Sequence, residues 1–165
     1  MMTEHVKAFH ELTPDELYRI MKLRVDVFVV EQKCPYAELD NLDQAAMHVW
    51  LEEEEGRIVA YLRVMDKGAE SDCGSLGRVV SAKRRCGLGT GVLQKGIQVA
   101  QEIYGAEAIY LEAQAYARGL YEKFGFRQIS EEFILDGIPH IKMILYNPES
   151  GARNMSKTAP QSIEL

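Results

Sequence analysis

Long apolar runs are missing from this 165-residue chain. None approaches the roughly 20 residues that a membrane-spanning helix needs. The first residues also lack the basic-then-apolar pattern of a secretory leader. A membrane partner is therefore not expected. A basic surplus is missing too: 19 Lys and Arg stand against 25 Asp and Glu, for a net charge of −6. That sign argues against broad attraction to nucleic acid, although Lys83-Arg84-Arg85 makes a local basic patch. Cysteine is scarce. Cys34, Cys73 and Cys86 form an odd set without metal-ligand spacing, which points to reduced thiols in a cytoplasm and to no metal site. No internal repeat stands out. The length suits one domain, placed at residues 1–147. Residues 148–165 have little apolar periodicity and read as a flexible tail.

What is present reads as a mixed α/β chain, with antiparallel strands first. His5–Phe9 is a weak strand. In "LTPDELYRIMKLR", Thr13 can cap a helix, Pro14 suits its first position and Glu16 completes a capping box. "VDVFVVEQ" (25–32) continues as a short helix, because no turn signal separates it from the first. Residues 33–47 form a polar loop. "HVWLEE" and "RIVAYLRVM" flank Glu54-Glu55-Gly56 and read as a hairpin. "SLGRVVSA" is a further strand, and a helix follows over 89–104. Gly91 and Gly96 lie inside that helix at a cost of about 1 kcal/mol each relative to Ala; close packing on a sheet would explain them. "AIYLEAQA" is a buried-type strand, "YARGLYEKFGF" a short helix stopped by Gly125, and residues 127–146 two strands about an Asp136-Gly137 turn.

The stretch "RRCGLGTG" (84–91) sits between a strand and a helix. A helix N-terminus offers unpaired N–H groups and partial positive charge, which suit a pyrophosphate. Bare glycines let such an anion approach the backbone, and arginines add charge. Arg84, Arg85, Cys86, Gly87, Leu88, Gly89 and Thr90 thus form a candidate anion-binding loop; an ordinary strand-to-helix turn is the alternative. Two nucleotide motifs do not fit. A Walker A loop ends in Gly-Lys-Ser/Thr, whereas here Lys95 precedes Gly96. A dinucleotide fingerprint is spaced G-x-G-x-x-G, whereas Gly87, Gly89 and Gly91 give G-x-G-x-G.

Arg84-x-x-Gly87-x-Gly89 after a strand resembles the Q/R-x-x-G-x-G/A signature of the GNAT N-acetyltransferases. Some thirty residues on, "LYEKFGF" (120–126) resembles their C-terminal signature. "VFVVEQKCPY", "GRVV" and "DGIPHI" are similar to the ElaA-like branch of that family. The resemblance covers about residues 4–147. It implies a mostly antiparallel mixed sheet with a V-shaped splay, helices on both faces, and acetyl-CoA as cosubstrate. It also implies direct transfer of the acetyl group to a small-molecule or peptide amine. Related enzymes often pair, so the resemblance leaves a homodimer open.

Carried over residue by residue, the resemblance assigns Val79, Val80 and Ser81 to the pantetheine and thioester carbonyl. One well-placed N–H there is worth roughly 3 kcal/mol in a transition state. The loop from Arg84 to Thr90 is then the pyrophosphate cradle. Gln114 stands where relatives often have Asn, and the resemblance assigns it to the cofactor side, with its longer amide bracing the loop. Tyr121 falls at the tyrosine of the second signature and is the candidate acid for the departing thiolate; a purely structural core tyrosine is the alternative. Glu31, Glu112 and His140 are candidate bases, with a water chain as a further route. Glu31, Asp40 and Asp43 are candidates for the acceptor side, or else solvated loop carboxylates.

Two rival functions share parts of this pattern. Arg24-x-x-x-Phe28, Asp40-x-x-Asp43 and Arg63 also resemble acyl-homoserine-lactone synthases, in which such residues shape an S-adenosylmethionine pocket. The same residues serve equally as scaffold, with Arg24 ion-paired to Asp40 or Asp43. A non-catalytic acyl-CoA-binding module is the other rival. Cys86, at a helix N-terminus, is a candidate redox switch or simply a small residue.

Overall fold

The computed structural model describes residues 1–84 and 86–147. Arg85 and the tail expected over 148–165 lie outside the described residues. The chain forms a first strand, β1 (Thr3–Ala8), then helix α1 (Pro14–Arg24). The capping box forms as its sequence dictates. Thr13 Oγ1 accepts from the Glu16 amide at 3.1 Å, and Glu16 accepts from the Thr13 amide at 2.9 Å. Lys7 binds the same Glu16 at 2.8 Å, which fastens α1 to β1. The helix continues over Val25–Glu31, but with wider π-type turns. The Gln32 amide donates to Val27 O at 3.1 Å and that of Cys34 to Val29 O at 3.0 Å. Four β-branched valines in seven residues crowd an ordinary α turn.

Strands β2 (Met47–Glu52), β3 (Ile58–Met65) and β4 (Gly74–Ser81) follow, then helix α2 (Leu88–Tyr104) and strand β5 (Ala108–Gln114). A 3₁₀ turn leads into the short α3 (Arg118–Glu122), which ends at Gly125 with φ +92°. The C-terminal segment holds one element more than its sequence predicts. The hairpin of β7 (Phe133–Leu135) and β8 (Ile138–Tyr146) turns at Asp136 and Gly137, both with positive φ. A two-residue β6 (Arg127–Gln128) also pairs with β8.

The sheet runs β1-β2-β3-β4-β5-β8-β6, with β7 on the same edge of β8 as β6. Every pairing is antiparallel except β4 with β5. The fold is therefore the α+β mixed sheet that the motifs imply. Helices cover both faces. On one, Val49, Leu62, Val64, Ile109 and Leu111 pack with Leu93 and Val99 of α2 and with Tyr121 of α3. On the other, Trp50, Tyr61 and Val80 pack with Ile20 of α1. β3 is buried along its whole length between these layers. Among the described residues no helix is long and apolar enough to cross a membrane.

The decisive feature is where β4 leaves β5. The two strands pair at Gly74↔Ile109 and Ser75↔Tyr110 and nowhere beyond. The register of β4 on β3 slips between Tyr61 and Arg63, and Arg78 takes φ +53° there. This β-bulge adds one residue, bends β4 and re-aims it away from β5. The sheet opens into a V whose arms are the ends of β4 and β5.

Gly96 is explained by close packing. A Cβ there would lie 2.7 Å from both terminal carbons of the buried Leu62. At Gly91 it would lie 3.3 Å from Leu51. Gly96→Val is therefore expected to cost about 2 kcal/mol through overpacking, read as a lower urea midpoint; an unchanged midpoint would show that α2 does not press on β3 at this point.

Candidate active site

The V is filled by a cavity of about 1100 Å³ that passes between β4 and β5 from one face of the sheet to the other. Strand alternation divides its walls. Ile109, Leu111 and Ala113 turn toward α2 and α3, so Tyr110, Glu112 and Gln114 turn the opposite way. The α2-side mouth is formed by the glycine loop and α3. The far side is formed by β5, the β7–β8 turn and the loop after the π-type turns.

Gly87 is the N-cap of α2 and sits at φ +75°, a conformation open to glycine and strained for other residues. A Cβ added there meets nothing within 4 Å, so the space above it belongs to the cavity. Gly89 and Thr90, in the first turn, also line the cavity, and their amides have no intrahelical partners. Leu88 does not line it; it is buried in the α2-side core and anchors the turn. Lys83 and Arg84 stand at this mouth, with Lys123 of the α3 end opposite. Arg84 binds Glu31 at 2.8 Å and lies 5.9 Å from the Tyr116 ring centroid. Cys86 is exposed, and its thiol donates to the Arg84 carbonyl at 3.4 Å.

Val79, Val80 and Ser81 line the β4 arm. The Ala82 amide donates to Val59 O at 2.8 Å. Ladder alternation then aims the Val80 backbone at β3 and turns the amides of Val79 and Ser81 toward the opened side. Tyr121 reaches the cavity from α3 and is 6 % exposed, edge-on to Phe126. Burial, with a smaller push from Tyr116, drives its phenol pKa well above the ordinary value. Among the described residues its hydroxyl has no hydrogen-bond partner. The group is therefore a protonated donor with an unspent bond.

The three candidate bases separate. Glu31 does not line the cavity and is spent on Arg84. Glu112 lines it and accepts from the Tyr110 hydroxyl at 3.0 Å. His140 lines it from β8, with Nδ1 2.7 Å from Ile138 O. Gln114 lines it too and forms a reciprocal amide pair with Gln32, at 3.0 and 3.1 Å. Gln32 lies in the "VFVVEQKCPY" stretch that carries the resemblance, but nothing there singles it out; the π-type turns deliver it to the cavity. Tyr110 was accessible to sequence reasoning, because it shares a strand face with Glu112.

Asp40 and Asp43 do not line the cavity. They belong to an internal ion network. Arg24 and Arg63 have no exposed side-chain surface, so their charges require carboxylates within the protein. Arg24 binds Glu38 at 2.6 Å and Asp43 at 2.7 Å. Arg63 binds Asp40 at 2.5 Å, with Asp43 and Glu70 at 3.1 Å. Arg78, at the bulge, binds Glu38 at 3.1 Å and Asp40 at 3.4 Å. The expectation that Asp40 and Asp43 face an acceptor is thereby corrected, and the Arg24–Asp43 scaffold pairing is the one found. Among the described residues no group of three or more His, Cys, Asp or Glu side chains is arranged to hold a metal ion.

A mixed sheet parted beneath a glycine-capped helix is the architecture of the acyl-CoA N-acyltransferases. An acyl-CoA N-acyltransferase from Pseudomonas aeruginosa superposes with a TM-score of 0.81 at 38 % identity, covering 87 % of this chain and 99 % of that one. ElaA from Escherichia coli superposes with the same TM-score of 0.81, covering 87 % and 99 %. Its sequence is 34 % identical over 139 residues, 81 % of this chain and 89 % of ElaA. A family model described as an acetyltransferase (GNAT) domain matches residues 9–146. The chain belongs to the GNAT acetyltransferase family, in its ElaA-like branch. A CoA-dependent acyl-homoserine lactone synthase, solved with SAM and isopentyl-CoA, shares the fold alone, at 14 % identity and a TM-score of 0.72.

Burial works to raise the Asp40 carboxyl, but Arg63 overrides it and holds the pKa at about 2. That lies below the unfolded value of about 4. The Asp40 contribution to stability is thus fully present above about pH 4 and is lost as pH falls toward about 2. Thermal melts should show Asp40→Asn below the natural protein at pH 6, with the gap narrowing toward pH 2.5. A gap independent of pH would contradict the ion pair.

Proposed function

We propose that this protein transfers an acetyl group from acetyl-CoA to an amine. The observation that carries the reading is Tyr121: a buried, protonated, unpartnered hydroxyl in a cleft whose α2-side mouth is a glycine-capped helix N-terminus. That cleft suits acetyl-CoA, which would supply an activated acyl thioester there. The first-turn amides of α2 and the cationic groups of Lys83, Arg84 and Lys123 would hold its phosphates. The amides of Val79 and Ser81, on the opened side of β4, would serve the thioester chain. Arg85 joins the same reading from its place in the motif, outside the described residues.

The N–C bond forms as the C–S bond breaks. The amine loses a proton and the departing sulfur gains one. Tyr121 Oη–H supplies the second proton. His140 is the favoured group for the first. Its Nδ1 faces a carbonyl oxygen, which only accepts, so Nδ1 carries a hydrogen and the lone pair of the neutral ring lies at Nε2. The lactone-synthase reading loses support, because Arg24, Arg63, Asp40 and Asp43 are spent on one another.

Tyr121→Phe is expected to lower kcat by about 10²-fold with little change in acetyl-CoA affinity. Gly87→Val should abolish that affinity in calorimetry, because its side chain occupies the open space where the phosphates approach. Tight acetyl-CoA binding without thiol release over a broad amine set would replace catalysis by the acyl-CoA-sensing alternative. An unaltered kcat would remove Tyr121 from the mechanism.

A further inference from the structure

The far half of the cavity has an uneven inventory of hydrogen-bonding groups. Its donors are largely spent inside the protein. The Tyr110 hydroxyl is given to Glu112, and that of Tyr36 to Glu38. Arg78 commits Nε and Nη2 to Glu38 and Asp40. Gln32 and Gln114 donate to each other, and the Cys34 thiol donates to Asp136 O at 3.3 Å. Arg78 Nη1 and one amide N–H each of Gln32 and Gln114 stay unspent; the other unspent groups are acceptors: the Glu112 carboxylate, which receives only Tyr110, the remaining lone pairs of Glu70, the Asp136 carboxylate and, in its neutral form, His140 Nε2.

Charge points the same way. The network behind this wall sets the guanidiniums of Arg24, Arg63 and Arg78 against the carboxylates of Glu38, Asp40, Asp43 and Glu70, leaving one negative charge in excess. Glu112 adds a second, and no ion pair within the described residues neutralises it. Lys142, its cross-strand neighbour, holds its ammonium 5.9 Å from the Phe133 ring centroid. The opposite mouth is cationic at Lys83 and Lys123, with Arg84 beside them paired to Glu31. The cavity is thus polarised along its length, and the buried Tyr121 hydroxyl, without a partner, independently marks it as a ligand site.

Carboxylates beside a lone amine work against transfer, because they hold it as ammonium, and an ammonium has no lone pair to attack with. The conflict disappears when the charge sits on a second group of the same substrate. We infer that the acceptor carries, besides the reacting amine, a second cationic group a few bonds away, which Glu112 and Glu70 hold while the neutral amine meets the thioester. The inference rests on the transfer reading above. A free diamine and the basic side chains of a short peptide share this chemistry.

The test compares 1,4-diaminobutane, n-butylamine and 4-aminobutanoate as acceptors, by thiol release from acetyl-CoA with the full chain. The diamine is expected to exceed butylamine in kcat/KM by about tenfold or more, with 4-aminobutanoate lowest. Glu112→Gln should collapse the diamine-to-butylamine ratio toward one. A lysyl-lysine amide tested beside the diamine distinguishes peptide from free diamine, and preference for either over butylamine supports the inference. Equal use of all three amines, or an undiminished ratio in Glu112→Gln, overturns it while the transfer reading stands. Should acetyl-CoA bind and no amine turn over, the transfer reading fails. Calorimetry of 1,4-diaminobutane into the CoA-loaded protein then decides the cation site: binding weakened about tenfold or more by Glu112→Gln supports it, and no binding heat removes it.

Discussion

The parting of β4 from β5 is the constraint on which the rest depends. Parallel strands that stayed paired would present a closed sheet, and neither the glycine loop nor Tyr121 would have a space to address. Two pairings hold the strands together and a bulge at Arg78 separates them. The bulge is strained, because a side chain at φ +53° is disfavoured. It persists because the Arg78 guanidinium is bound by Glu38 and Asp40, and Glu38 in turn binds Arg24 of α1. The opening of the cleft is therefore fixed by an ion network remote from α2.

That arrangement divides labour between the faces of one sheet. On the α2 side, backbone amides and lysine or arginine groups concentrate positive potential around Gly87. On the other side, carboxylates and a histidine line the wall. Burying Arg24, Arg63, Glu38 and Asp43, with Arg78, Asp40 and Glu70 partly exposed at their edge, costs desolvation that their attraction offsets only when nearly every partner is met. The buried Arg63 Nε, without a partner, is the exception. What the network provides is a fixed floor, since removing Glu38 or Asp43 leaves the buried Arg24 short of a carboxylate.

Thr13 and Glu16 formed their capping box because that signal is local, complete within four residues. The Asp136-Gly137 turn formed for the same reason. The glycine loop was legible by type and spacing, and so was Tyr121 as a member of "LYEKFGF". Local pattern could not separate Glu31 from Glu112 and His140, since each is a titratable residue near an element's end. Nor could it find Gln32, whose role depends on turns of π width.

The sequence by itself determined the order and kind of elements, the family, the loop at Gly87 and the tyrosine at 121, because periodicity, capping and short-range spacing are written in neighbouring residues. Tertiary structure alone decided that Asp40 and Asp43 face inward to Arg63 and Arg24, that Glu31 is taken by Arg84, and that Glu112 keeps one carboxylate oxygen unbonded among the described residues. The ion pairs among those outcomes join residues 19 to 53 apart in the chain. Which carboxylate an arginine meets at such separations is decided by packing and by the cost of leaving a buried charge alone, and neither is a property of any short stretch of sequence.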